Sequence, residues 1–323
     1  MMTLHLFKKG LQIQAGVLLL NMGGPSHLSE VEVFLRNMFK DPHILPVKSA
    51  LLRKFLGGMI VKRRLEKAKD NYRAIGGKSP MIEHTFALCQ KLQELDKDRF
   101  YSYAMRYTPP FTRMALEEMR QKEIQKIHLF SMYPQYSSTT TLSSFSEVYR
   151  ALKEMDYKPV IEVVERYYDD ARYHAIMLDE IVRSLGDRSA EDFVLVFSAH
   201  SLPQSIIDKG DPYERECEAT FGAMKQALAA RGVVFKDIVL SYQSRIGRMQ
   251  WIGPSTKSMI EKFAGQKLIV YPLGFTIDNS ETIFEIDIEY RELAKSLGIE
   301  EFVVCPCFND HDDFAQLILE YVR

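Results

Sequence analysis

Phe193-Val194-Leu195-Val196-Phe197-Ser198-Ala199-His200-Ser201-Leu202-Pro203 runs from five unbroken apolar residues into a polar turn that carries a histidine and a proline. An apolar run without polar alternation is the pattern of a strand covered on both faces, as in a parallel sheet. Leu18-Leu19-Leu20-Asn21-Met22-Gly23-Gly24-Pro25 has the same shape near the start of the chain. Two more pairs echo each other. Ser102-Tyr103-Ala104-Met105-Arg106 resembles Leu240-Ser241-Tyr242-Gln243-Ser244-Arg245, and Phe130-Ser131-Met132-Tyr133-Pro134 resembles Leu268-Ile269-Val270-Tyr271-Pro272. Three echoes in one order imply two related lobes, each echo lying at the C-terminal end of a strand. Ligands of open α/β sheets bind in the crevice beyond those ends.

Outward from these segments, short apolar runs alternate with helical-period stretches. Expected strands are Gly16–Asn21, Arg99–Met105, Lys126–Met132, Val160–Val164, Phe193–Ser198, Asp237–Tyr242, Lys267–Tyr271 and Glu301–Val304. Expected helices include Ser29–Lys40, Glu83–Lys97, Ser143–Glu154, Asp170–Leu185, Glu214–Arg231 and Ser280–Leu297. The alternation predicts an α/β protein with parallel sheet covered by helices. Eight strands could close a barrel; the internal echo favours two open sheets of four.

Composition narrows the function. The chain has 323 residues, 46% hydrophobic and 26% charged, with net charge −1, so no basic field exists to hold nucleic acid. Its four cysteines form no disulfide framework and suit a reducing, cytoplasmic setting. Cys305-Pro306-Cys307 is the one close pair. It lacks a second pair to complete a tetrahedral metal site, and a buried strand end is the expected location. Lys8 and Lys9 before Ala15–Leu20 superficially resemble a leader, but the apolar run is short and Asn21 ends it. No stretch approaches the roughly 20 apolar residues of a membrane span.

Two features carry chemistry. His200, at a buried strand's end, offers imidazole as a metal ligand or as a base near neutral pH. From Asp278, helical spacing sets Asp278, Glu281, Glu285, Glu289 and Glu292 in one acidic stripe, although the residues between are largely apolar. Glu289 and Glu292 read as a solvated face. Glu281 follows the strand end Tyr271-Pro272 closely and belongs in the crevice. A histidine from one strand end and a carboxylate from another make an open divalent site with nitrogen and oxygen ligands; without thiolate it is not a structural zinc site.

At this point the sequence resembles the ferrochelatase family. The second half carries Phe197-Ser-Ala-His200-Ser-Leu-Pro203, Gly210-Asp-Pro-Tyr213, Tyr242-Gln-Ser, Trp251-Ile-Gly-Pro254 and Gly274-Phe-Thr-Ile-Asp-Asn-Ser-Glu281. The first half carries Leu20-Asn-Met-Gly-Gly-Pro25, Tyr72-Arg-Ala-Ile-Gly-Gly-Lys-Ser-Pro80, Met105-Arg-Tyr107 and Tyr133-Pro-Gln-Tyr-Ser137. The resemblance implies two Rossmann-like lobes, each a four-stranded parallel sheet flanked by helices, with the active cleft between them. Residues 1–168 would form the first lobe, with a porphyrin lip at about 45–80, and 169–323 the second, its last helix reaching the first. The implied reaction is insertion of Fe²⁺ into protoporphyrin IX, giving protoheme and two protons, without organic cofactor. By position, His200 and Glu281 are implied as catalytic and metal-site residues. Met22, Arg106, Tyr107, Tyr213 and Trp251 are implied for the porphyrin pocket, and Asp278 and Glu285 would relay protons or metal along the stripe.

The sequence also departs from the family pattern. Asn279 stands where some relatives carry a second histidine, and Ser138 where cluster-bearing relatives carry cysteine. With no cysteine-bearing segment after Leu319–Arg323, no iron–sulfur cluster is expected. Leu51–Arg64 joins apolar residues to a basic end, which suits either a lip over the porphyrin or weak peripheral contact with the cytoplasmic membrane. Monomer and homodimer are both compatible with the sequence. Two rival functions stay open: a related chelatase for coproporphyrin III or sirohydrochlorin, and a tetrapyrrole or metal carrier without turnover. A nucleotide-dependent enzyme ranks last, because no GxGxxG follows the first strand.

Overall fold

A computed structural model describes residues 15–245, 247 and 249–323; the leader-like Lys8 and Lys9 lie outside the described residues. Strands β1 (Ala15–Asn21), β2 (Arg99–Met105), β3 (Lys126–Ser131) and β4 (Val160–Val164) form one sheet in the order β2-β1-β3-β4. Strands β5 (Phe193–His200), β6 (Asp237–Gln243), β7 (Lys267–Pro272) and β8 (Phe302–Val304) form a second in the order β6-β5-β7-β8. Every pairing is parallel. The three sequence echoes thus fall on corresponding strands: β1 with β5, β2 with β6, and β3 with β7. Two open sheets form, and no barrel closes.

Between strands run α1 (Val31–Lys40), α2 (Ala50–Ala74), α3 (Met81–Leu95), α4 (Thr112–Gln121), α5 (Ser143–Glu154), α6 (Ala171–Leu185), α7 (Gln204–Ile207), α8 (Tyr213–Ala230), α9 (Thr256–Lys262), α10 (Tyr290–Ser296) and α11 (Asp312–Tyr321). Period-2 alternation of strand side chains divides each sheet between two cores. Leu18 and Leu20 of β1 pack outward under α4 and α5 with Leu116 and Val148. Val194 and Val196 of β5 pack with Ile260 of α9 and Ala294 of α10. The opposite faces, Val17 and Leu19 of β1 and Leu195 and Phe197 of β5, meet in one shared core with α3, α6, α8 and α11. The last helix touches both α3 and α6, and Lys91 of α3 pairs with Asp312 at its start at 2.6 Å.

Burial on both faces is incomplete at the edge strands and least at β4. Val160 and Val163 of β4 are exposed, because β4 is the edge of its sheet. Cys305 and Cys307 are buried just past β8, and all four thiols are free. Burial pushes the Cys305 thiol up to about 12.

Candidate active site

Strand β5 ends on His200, so the backbone that anchors the imidazole is held by the sheet, not by a loop. Its Nδ1 lies 2.8 Å from Oε2 of Glu281, and about a third of each side chain stays accessible, 35% and 28%. Burial disfavours the imidazolium, but the Glu281 carboxylate outweighs it and raises the His200 pKa, with Glu285 adding to the effect. Burial likewise works against the Glu281 anion, yet His200 and hydrogen bonds from Ser244 and Gln243 hold its pKa below the usual value. Gln243 ends β6 beside His200, and its Nε2 donates to Glu281 Oε2 at 3.5 Å.

The expected α-helix after Ser280 is instead a π-helix over Glu281–Glu289, followed by α10. Its i→i+5 hydrogen bonds make a wider turn than an α-helix, a geometry that recurs at functional sites. Glu281 and Glu285 still share a face. The Glu285 carboxylate accepts from the Ser244 backbone N–H at 2.7 Å, from the Ser244 hydroxyl, and from Tyr290 Oη at 2.7 Å. Burial and the neighbouring Glu281 charge together raise its pKa. Glu289 is exposed, as is Glu292.

Asp278 corrects the acidic stripe. It precedes the helix, so helical spacing does not carry it onto that face. Its carboxylate accepts from Thr282 Oγ1 at 2.8 Å and from Asn309 Nδ2 at 2.7 Å, tying the π-helix to the segment after β8. Asn279 is buried, and its Oδ1 accepts from the Glu281 backbone N–H at 2.8 Å. It therefore fixes the start of the helix that bears Glu281.

The other expected residues spread around the cleft. Met22, just past β1, lines a small interlobe cavity with Met81, Met132, Tyr133 and Phe275, and Phe275 packs edge-on to His200 with centroids 6.4 Å apart. Tyr213 starts α8 and is buried against Gly274, where a Cβ would come within 3.2 Å of its Oη. Trp251 bridges Pro203 beside the His200 turn. Arg106 and Tyr107 belong to a different cluster. Arg106 reaches Asp41 at 2.9 Å and Glu147 at 3.7 Å, and Tyr107 Oη donates to Asp41 at 2.9 Å. A carboxylated substrate would have to compete with Asp41 for Arg106.

Reading the sequence alone missed the contribution of α2 to this site. Ser280 Oγ donates to Tyr72 Oη of α2 at 3.3 Å. Arg64 of α2 feels the Glu281 carboxylate, although burial lowers its pKa overall. The sequence signal was available: Tyr72 opens the Tyr72–Pro80 motif and Arg64 closes the basic end of Leu51–Arg64. Among the described residues no three His, Cys, Asp or Glu side chains cluster as a closed metal cage. His200 and Glu281 stand as a pair, without a third such side chain beside them among the described residues.

Two open parallel sheets share one strand order, and the His200–Glu281 pair joins the C-terminal end of β5 to the π-helix after β7. Solved structures of this fold include SirB from Bacillus subtilis with Fe³⁺, at TM-score 0.58 and 13% identity, covering 96% of this chain and 94% of that one. CbiX, the terminal enzyme for siroheme biosynthesis in denitrifying bacteria, aligns at TM-score 0.54 and 14% identity over 95% of this chain and 97% of its own. The ferrochelatase family model matches residues 14–323. Ferrochelatase of Helicobacter pylori strain P12 is 51% identical over 308 residues, 95% of this chain and 92% of its own. That of Wolinella succinogenes is 51% identical over 310 residues, 96% and 98%. The chain belongs to the ferrochelatase family and is a metal chelatase of the lyase class.

Proposed function

We propose that His200 and Glu281 are the catalytic pair with which this chain inserts Fe²⁺ into protoporphyrin IX, forming protoheme and releasing two protons. The observation that carries the assignment is the 2.8 Å contact between His200 Nδ1, at the end of β5, and Glu281 Oε2, on the π-helix after β7. With Nδ1 committed to the carboxylate, Nε2 is the nitrogen that would meet a pyrrole N–H or the incoming metal. The adjacent anion stabilises the imidazolium formed when His200 takes a pyrrole proton. Glu285, half-buried and hydrogen-bonded to Ser244 and Tyr290, is the next acceptor along the π-helix. Met22, Tyr213 and Trp251 would bound the ring, and a rigid cleft that favours a buckled macrocycle directs binding energy into the strained geometry. The reaction needs no organic cofactor; we assign no cluster either, since Ser138 spends its hydroxyl on Asp211 at 2.6 Å.

Anaerobic metalation of protoporphyrin IX, with coproporphyrin III in parallel, tests the assignment. Turnover with protoporphyrin should fall by about 10²–10⁴-fold in His200→Ala while porphyrin binding persists. Porphyrin binding without turnover in the unaltered protein would leave a carrier; preference for coproporphyrin would move the substrate and keep the site.

A peripheral membrane contact is favoured by one observation. Leu51, Leu52, Phe55 and Met59 of α2 are all exposed beside Arg53 and Lys54. No helix among the described residues is long and apolar enough to cross a membrane. Co-sedimentation with anionic vesicles should drop severalfold when Leu51 and Phe55 are both changed to Ser; unchanged pelleting would remove the contact.

A further inference from the structure

One face of α8 is turned toward the first lobe and is unusually polar for a buried surface. Asp211, just ahead of the helix, spans the two lobes with a single carboxylate. Its Oδ2 accepts from Ser138 Oγ at 2.6 Å, the Ser138 backbone N–H at 2.7 Å and Ser137 Oγ at 3.1 Å. Its Oδ1 accepts from the Tyr213 backbone N–H at 3.1 Å. One turn further, Glu216 is 1% exposed, and accepts from the Tyr136 backbone N–H at 2.7 Å and from Arg166 at 2.6 Å. Gln135 Nε2 donates to Thr220 Oγ1 at 3.1 Å another turn along. Residues 135–138 follow β3 of the first sheet, whereas α8 follows β5 of the second.

Glu216 is buried and Asp211 half-buried; desolvating a carboxylate is costly unless it is hydrogen-bonded, and here every donor but the Tyr213 N–H comes from the first lobe. The clamp also leads into the site. Asp211 holds the start of α8 that carries Tyr213, Tyr213 packs on Gly274, and the next residue, Phe275, packs edge-on to His200.

We propose that Asp211, seconded by Glu216, is a positioning residue that sets the interlobe spacing at the cleft floor, and through Tyr213 and Phe275 the placement of His200 against the porphyrin. This rests on the ferrochelatase reading above. The spacing fixes how far the bound ring is bent, so losing it slows insertion more than it weakens binding.

The test compares Asp211→Ala with Asp211→Asn, which retains an acceptor oxygen. For Asp211→Ala, kcat should fall by about 10²-fold, the cost of roughly 1 Å of misplacement, with the KM for protoporphyrin within about threefold of the unaltered value. The out-of-plane resonance Raman bands of bound protoporphyrin should weaken, and Asp211→Asn should restore most of both. An unchanged kcat, a loss confined to KM, or Raman bands identical to those of the unaltered protein would each overturn the proposal. Should Asp211→Ala not fold, the Ser137→Ala/Ser138→Ala double variant removes two of the same donors, and the same outcomes decide. If the unaltered protein binds porphyrin but does not turn over, the ferrochelatase reading fails on its own, and the Raman contrast still judges the clamp.

Discussion

His200 owes its behaviour to two opposed effects. Burial alone would make it a weak base, and Glu281 reverses the sign. A base must be neutral to accept a proton, so the acid limb of the pH–rate profile should rise through the raised His200 pKa. In Glu281→Gln the supporting charge is gone and burial remains, so that limb should shift to lower pH even as the maximal rate falls. Profiles of kcat/KM for protoporphyrin over pH 5–9 in both proteins check the sign, and a limb that stays put would separate His200 from the titration. Glu285 moves the other way: burial and the Glu281 charge keep its proton on to higher pH. One helix thus carries two carboxylates with opposite shifts, a division that lets one hold charge while the other passes a proton.

The elements that matter most are the turns after the strands. The Met22–Pro25 turn after β1 lies against the segment before α3, where the Ser79 N–H donates to the Pro25 carbonyl at 2.7 Å. Any Cβ at Gly24 would lie 2.5 Å from Ser79 Cβ, so this glycine is required by close approach and not by its backbone angle. Gly24→Ala should cost about 1–3 kcal/mol, read as a lower urea midpoint with unchanged slope. The π-helix is the other decisive element. Its apolar residues Ile283, Phe284, Ile286 and Ile288 gave a helical pattern in the sequence, and that pattern cannot separate i+4 from i+5 hydrogen bonding. Periodicity placed Glu281 and Glu285 together for the right reason and added Asp278 for the wrong one, because it carried the helix past its start.

At the scale of the molecule, two sheets share one core. Phe314 of α11 is fully buried and stacks near Phe308 with centroids 5.2 Å apart, in the cluster that also contains Val17 and Phe193. Lobes joined in this way should unfold together. Urea transitions followed by far-UV circular dichroism and by the fluorescence of the single tryptophan, Trp251 in the second lobe, should coincide. Phe314→Ala should lower stability by about 3–5 kcal/mol and move both curves equally. A biphasic dichroism curve would mean that the lobes are thermodynamically separate.

The sequence by itself determined the strands, their parallel arrangement, the two-lobe duplication and the family, because apolar runs and turn chemistry are local and the motifs are long. It also singled out His200, at a strand end where an α/β sheet exposes functional side chains, and Glu281, on the helix that follows the end of β7. Only the tertiary structure decided which partner each charge meets. Asp41 takes Arg106 and Tyr107, Asn309 takes Asp278, and the Ser137–Ser138 turn takes Asp211. Those pairings join residues 31 to 74 positions apart, and nothing in local spacing encodes which carboxylate a distant donor will find.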